Sequence, residues 1–235
     1  MNIVDFSRRA IEQKIANVGD FVKMDYLNEC LRKPLDFDAK RFVMTKLASL
    51  YEARLMHSAA GKLMRSGAEI NPNFNGKISD FLKSAELFVK AGIFEETDLS
   101  MKKAMGGTTE VQKREIKDKI KEFYKTEANF RMKRGEKKYA MKVYEKLMSM
   151  ELDSNERKKI EDILIKIYEN FGKMKEYINL NREKEPVVSI PEKTPSSFKP
   201  NSYIGMTGKM EIKKDFRKVA EKNTDFDINE YLSHI

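Results

Sequence analysis

The order of residue sizes from Met44 to Pro72 recurs further along the chain, and a repeat constrains a fold more than any lone motif. Met44, Ala48 and Tyr51 place a large residue, a small one four positions on and an aromatic three further, with Leu47 beside the small residue. Ala60, Met64, Gly67 and Pro72 follow as small, bulky, small and proline. Phe81, Ala85, Phe88, Thr97, Met101 and Ala104 reproduce that order, and Tyr124, Ala128, Ala140, Tyr144 and Leu147 do so again. Residues three and four apart share one face of a helix. The chain therefore reads as successive helices built to one packing plan.

The punctuation agrees with the stripes. Asp36 or Asp38 is placed to cap a helix running through Tyr51, Thr109 with Gln112 reads as a capping box, and Ser154 precedes the stripe of Ile160, Ile163 and Ile167 as a further cap. Gly92, Gly135 and Gly172 each follow an apolar stripe, where a left-handed residue ends a helix most easily as glycine. Asn71 to Asn73 and Gly106-Gly107 are breakers. The glycines step by 43 and then 37 residues, and Leu55 holds the equivalent place 37 before Gly92. A weaker first unit has Gly19-Asp20 in its turn and Leu31 at its end.

These units resemble tetratricopeptide repeats, helix–turn–helix pairs with this order of large, small, aromatic, small, bulky and proline positions. The resemblance runs from about Asp36 to Lys184. It implies an all-α, right-handed helical-repeat solenoid with an extended C-terminal tail. The expected organisation is a degenerate helical pair at 1–35, repeats at 36–184, a proline-rich linker at 185–202 and a docking segment with short helices at 203–235. Ala48, Ala85 and Ala128 let one helix approach its mate, with Ala60 and Ala140 doing so from the other side, while Tyr51, Phe88 and Tyr168 fill the wedge between pairs. The sequence departs from the family in its longer steps, in having the proline only at Pro72, in Arg131 where an aromatic belongs, and in Ile165 and Asn181 in the last unit. A plain antiparallel bundle would also place alanines at helix contacts; the number of matches favours the repeat.

The tail is different material. Four of the six prolines, Pro186, Pro191, Pro195 and Pro200, lie in its first part, and from Glu183 onward it holds nine basic and nine acidic residues. Of the formal charge of +9, the excess therefore sits before it. Gly205 to Gly208 is similar to the GxxG loop of KH domains, but too few residues follow the prolines to build that fold, so a turn is the expected reading.

Function is read mainly by exclusion. One cysteine, Cys30, rules out a disulfide within the chain and suits a reducing, cytoplasmic setting as a small buried hydrophobe. The first residues lack the apolar run of a signal peptide, and no stretch has the length of a membrane helix. The two histidines, His57 and His234, have no partners at metal-ligand spacing. No catalytic residue, cofactor or metal is expected. The candidate surface is the inner face of the repeats, with Lys83, Lys90, Lys125 and Asn129, joined by the basic run of Arg131, Lys133, Arg134, Lys137 and Lys138. Lys125 and Asn129, four apart, match the start of the carboxylate clamp of some tetratricopeptide proteins, although Ile163 stands where the next asparagine belongs. The expectation is a non-catalytic adaptor for a protein partner. The alternative is a factor docking on RNA or a ribosome through Arg131 to Lys138, with self-association open. A charge run of this kind is also what a solvated helix face looks like.

Overall fold

The structure, a computed structural model, describes residues 7–184, with the side chains of residues 7–180. The linker 185–202, the segment 203–235 and the GxxG-like loop lie outside the described residues. All regular structure among the described residues is α-helical, in ten helices: α1 (Arg8–Ala16), α2 (Asp20–Leu31), α3 (Phe37–Ala53), α4 (His57–Glu69), α5 (Phe74–Ala91), α6 (Phe94–Ala104), α7 (Glu110–Lys133), α8 (Lys137–Met148), α9 (Ser154–Asn170) and α10 (Met174–Lys184). The chain divides after Lys173 into two units. The first unit holds α1 to α9, and α10 belongs to the second.

Within the first unit the contacts run from neighbour to neighbour in chain order, and two of them skip a helix: α3 also meets α1, and α7 also meets α5. The starts of the helices alternate in kind. The odd helices α1, α3, α5, α7 and α9 begin with a side chain, Ser7, Asp36, Asn73, Thr109 and Asp153, accepting a hydrogen bond from a backbone N–H of the first turn. The even helices α2, α4, α6 and α8 begin without a side-chain cap. The anticipated cap at Asp36 and the capping box at Thr109 are present. The cap expected at Ser154 falls one residue earlier: Asp153 accepts from Glu156 N at 2.7 Å and Glu156 closes the box, because a carboxylate with glutamate three residues on satisfies two orphan N–H groups at once.

The turns that lead out of α3, α5, α7 and α9 share one hydrogen-bond pattern. Gly92 N–H donates to Val89 O and Ile93 N–H to Phe88 O, each at 3.0 Å. The same pair joins Gly135 to Met132 and Glu136 to Arg131, and Gly172 to Glu169 and Lys173 to Tyr168. It joins Leu55 to Glu52 and Met56 to Tyr51 at 2.9 Å. This is the Schellman arrangement, which needs a left-handed residue just past the helix. Three of the four turns supply glycine, at φ of 72°, 74° and 64°, but the first holds Leu55 there at 61°.

The small positions are sites of close approach. Ala48, Ala60, Ala85, Ala128 and Ala140 are buried, as are the large Leu47, Phe81, Phe88, Tyr124 and Leu147. Ala48, Ala60 and Leu87 join α3, α4 and α5 in one apolar cluster. A second cluster, Ile11, Leu27, Cys30, Val43 and Leu47 among it, holds α1 and α2 on α3. A Cβ on Gly61 would lie 3.1 Å from the Phe88 ring. Ser84 Oγ donates to Gly61 O at 2.8 Å and lies 3.2 Å from Ser100 Oγ, so the polar groups in this tight seam are satisfied.

Candidate functional site

The four turn-closing aromatic positions correspond as Tyr51, Phe88, Arg131 and Tyr168. Three are wedges: Phe88 is fully buried, Tyr51 hydroxyl lies 3.0 Å from Asn28 Nδ2, and Tyr168 hydroxyl donates to Glu145 at 3.1 Å. Arg131 does something else. Its Nε and one terminal nitrogen donate to Glu127 and Glu136, each at 2.5 Å, and the other donates to Lys90 O at 3.1 Å. Its guanidinium lies 4.2 Å from the centre of the Tyr139 ring. Tyr139 hydroxyl in turn donates to Val89 O and Lys90 O, both at 3.2 Å. Two side chains of the third unit thus converge on the Lys90 carbonyl at the end of α5, and Tyr139 also reaches Val89 O, which already accepts from Gly92 N–H. Gly92 is required here twice over, by its positive φ and because a Cβ would fall 2.6 Å from the Tyr139 hydroxyl oxygen.

These groups line an open cavity of about 1090 Å³ formed by the ends of α3, α5 and α7 and the start of α4. Glu52 lines it from α3, Leu55, Met56, His57 and Lys62 from the turn after α3 and from α4, Lys90 from α5, Glu127, Phe130 and Arg131 from α7, Arg134 from just past its end and Tyr139 from α8. Two departures from the repeat, Leu55 for glycine and Arg131 for an aromatic, meet in this one place. Leu55 is 74% exposed, Phe130 47% and Met56 46%, so the mouth is unusually apolar for solvent-facing surface.

Its charges are arranged by depth. Glu52 accepts from Lys83 at 2.9 Å and Lys90 at 3.3 Å, and Glu86 accepts from the same two lysines at 3.1 and 2.6 Å. Burial alone would raise the Glu52 carboxyl, but the two lysines outweigh it and hold it below its ordinary value. Lys90 moves up for the converse reason, its carboxylate bonds outweighing burial. Arg131 is likewise raised, Glu136 and Glu127 winning over burial. Burial pushes Tyr139 up to about 12, so it is a hydroxyl donor at any physiological pH. The side chains of Glu52, Glu86, Glu127 and Glu136 are 7–32% exposed, whereas Arg134 is 56% exposed and Lys62 is exposed with no ion pair among the described residues. The charge met first from solvent is positive. His57 Nδ1 is buried with no hydrogen-bond partner among the described residues, and burial, then the charge of Lys90, lowers its affinity for a proton.

The nine candidate residues fall into separate groups. Lys90, Arg131 and Arg134 line the large cavity. Lys137 and Lys138 line a smaller one of about 470 Å³ with Lys142, Tyr139 and Phe171. Lys83 is committed to Glu52 and Glu86, and Lys125 to Glu122 and Glu156 at 2.8 and 2.6 Å. Asn129 Oδ1 accepts from Tyr144 hydroxyl at 2.8 Å. Lys125 and Asn129 therefore each serve the packing of α7 on its neighbours, the two residues on which the clamp resemblance rests. Lys133 and Lys138 are exposed. Glu52, Leu55, Met56, His57, Lys62, Phe130 and Tyr139 were not among the sequence candidates; the signal for Leu55 was present, as the one unit lacking glycine at its turn.

No group of three or more His, Cys, Asp or Glu side chains that could hold a metal occurs among the described residues. No helix of the described residues is long and apolar enough to cross a membrane. No family model matches the chain, and no curated protein matches it. Among solved structures it is similar to the crystal structure of BtubC (BKLC) from P. vanneervenii, at 13% identity over 86% of this chain and 85% of that one, with a TM-score of 0.32. A likeness that slight carries neither fold detail nor function across.

Proposed function

We propose that the chain is a non-catalytic adaptor, built of tetratricopeptide-like helical pairs, that binds a segment of a partner protein at the cavity between the turns of its first three full units. The repeat reading draws on the four equivalent Schellman turns and the alternation of capped and uncapped helix starts. The observation that carries the binding reading is that two irregular positions from different units, Leu55 and Arg131, line the same cavity. Elsewhere the pattern residues are spent on packing, and a solenoid's specificity resides in what the packing leaves over. Arg131 and Tyr139 hold the cavity wall rigid, and Leu55, Met56 and Phe130 offer apolar side chains on it.

A second reading, docking on RNA or a ribosome, draws on Lys133, Lys137 and Lys138, which have no carboxylate partner among the described residues; Lys137 and Lys138 line the smaller cavity. Phosphate contacts release counterions and weaken steeply with salt, whereas a mainly apolar contact does not. The two readings separate in one experiment. The full chain and a Leu55→Glu/Phe130→Glu variant are used as baits in cell lysate, with and without ribonuclease, and both protein and RNA are identified. The adaptor reading expects one protein, resistant to ribonuclease and lost with the variant. Capture that needs RNA and survives the variant overturns it.

A further inference from the structure

Resting on that adaptor reading, we infer that the cavity's occupant is an acidic protein segment carrying bulky apolar side chains, and that Leu55 is the apolar anchor it packs on. Leu55 supplies the first argument. A left-handed conformation is unfavourable for a residue with a Cβ, and the other three equivalent turns avoid that cost with glycine. Leucine here recovers little by burial, since it is 74% exposed. A strained residue whose side chain is left in solvent beside a cavity is what an unfilled contact looks like. Its neighbours complete an apolar lip: Met56 follows it in the chain, and Phe130 comes from α7.

Charge supplies the second argument. The cavity's carboxylates are each bonded to lysine or arginine and lie at most one-third exposed, while Lys62 reaches solvent with no ion pair among the described residues and Arg134 reaches it while bonding Glu136 through Nε at 3.0 Å. An incoming acidic side chain meets a cation at the mouth and no unpaired carboxylate, and like-charge basic segments are turned away. RNA would meet the same cations but has no use for Leu55, Met56 and the strain that presents them, so the protein segment is the better match.

The test uses the full chain and a fluorescein-labelled peptide in which leucine and phenylalanine are flanked by glutamates, followed by anisotropy. Two controls are the same peptide with glutamines for glutamates and a single-stranded oligouridine. Leu55→Gly relieves the backbone and is expected to melt at or above the wild type, so a fall in affinity is not a folding artefact. Loss of one buried leucine contact should weaken the acidic peptide about tenfold or more, and Lys62→Glu with Arg134→Glu should weaken it similarly. Unchanged affinity in Leu55→Gly overturns the anchor. Equal binding of the glutamine peptide overturns the acidic preference while leaving the adaptor reading intact. Binding of oligouridine with no binding of either peptide overturns both.

Discussion

Leu55→Gly is expected to make the protein more stable, an uncommon outcome for removing a leucine. The backbone at φ 61° costs a residue with a Cβ about 1–2 kcal/mol. Glycine removes that cost but adds about 0.4–1 kcal/mol of unfolded-state entropy. The side chain is 74% exposed, so little apolar burial is lost. The net lies between about 0 and 1.6 kcal/mol of stabilisation, and its centre near 0.8 kcal/mol raises the melting temperature by about 2–3 °C for a unit of this size. The opposite exchange calibrates the argument. Gly92→Ala meets the same strain at φ 72° and also drives a Cβ into the Tyr139 hydroxyl at 2.6 Å, displacing the bonds to Val89 and Lys90 carbonyls. It should cost about 2–3 kcal/mol from strain and lost hydrogen bonding together. Urea unfolding followed by circular dichroism reads both, with the denaturant slope unchanged. A clear loss of stability in Leu55→Gly refutes the reasoning, because the turn would then depend on the leucine side chain rather than tolerate it.

Other expectations rest on the same geometry. Ala85 is fully buried where α5 meets its neighbours, so Ala85→Leu should overpack it and cost about 1–3 kcal/mol in the same unfolding assay; a neutral outcome would show that the seam can open. His57 has a folded-state proton affinity below its ordinary value, by burial first and Lys90 second, so the unfolded chain binds the proton more readily. Stability from this group is present above the ordinary histidine value of about 6.5 and is lost as pH falls below it. The melting temperature of the wild type should therefore drop between neutral and mildly acidic pH by more than that of His57→Gln. A chain ending at Lys184 should melt in one cooperative step, since among the described residues the buried apolar side chains that hold the helices together run from Ile11 to Tyr168; a broad, non-cooperative melt would place part of the core beyond that point.

Much of the fold was legible because it rests on side-chain size and on turn chemistry, both of which are local. Ala48, Ala85, Ala128 and their bulky neighbours mark the buried faces, and Gly92, Gly135 and Gly172 mark the turns that the backbone takes. Even the misplaced cap at Ser154 was off by one residue, because aspartate and serine compete for the same role at adjacent positions. The site was less legible. A lysine on a helix face gives no sign of which carboxylate will reach it from another helix, so Lys83 and Lys125 read as free charge while Glu52 and Glu156 neutralise them. Arg131 was visible as a break in the pattern, but its grip on Glu127, Glu136 and the Lys90 carbonyl needs three elements brought together. Leu55 was visible as a missing glycine, and only its left-handed backbone and exposure give that absence a meaning.

The most direct measurement places a photo-crosslinking amino acid at position 130, on the apolar lip, and separately at position 111, an exposed valine near the start of α7 and away from the cavity lining. Each full-length protein is irradiated in cell lysate and its adducts are identified. The account predicts a protein adduct at 130 that is absent at 111 and that disappears when Leu55→Gly is added. Adducts of equal yield at both positions, or an RNA adduct at 130, would contradict it.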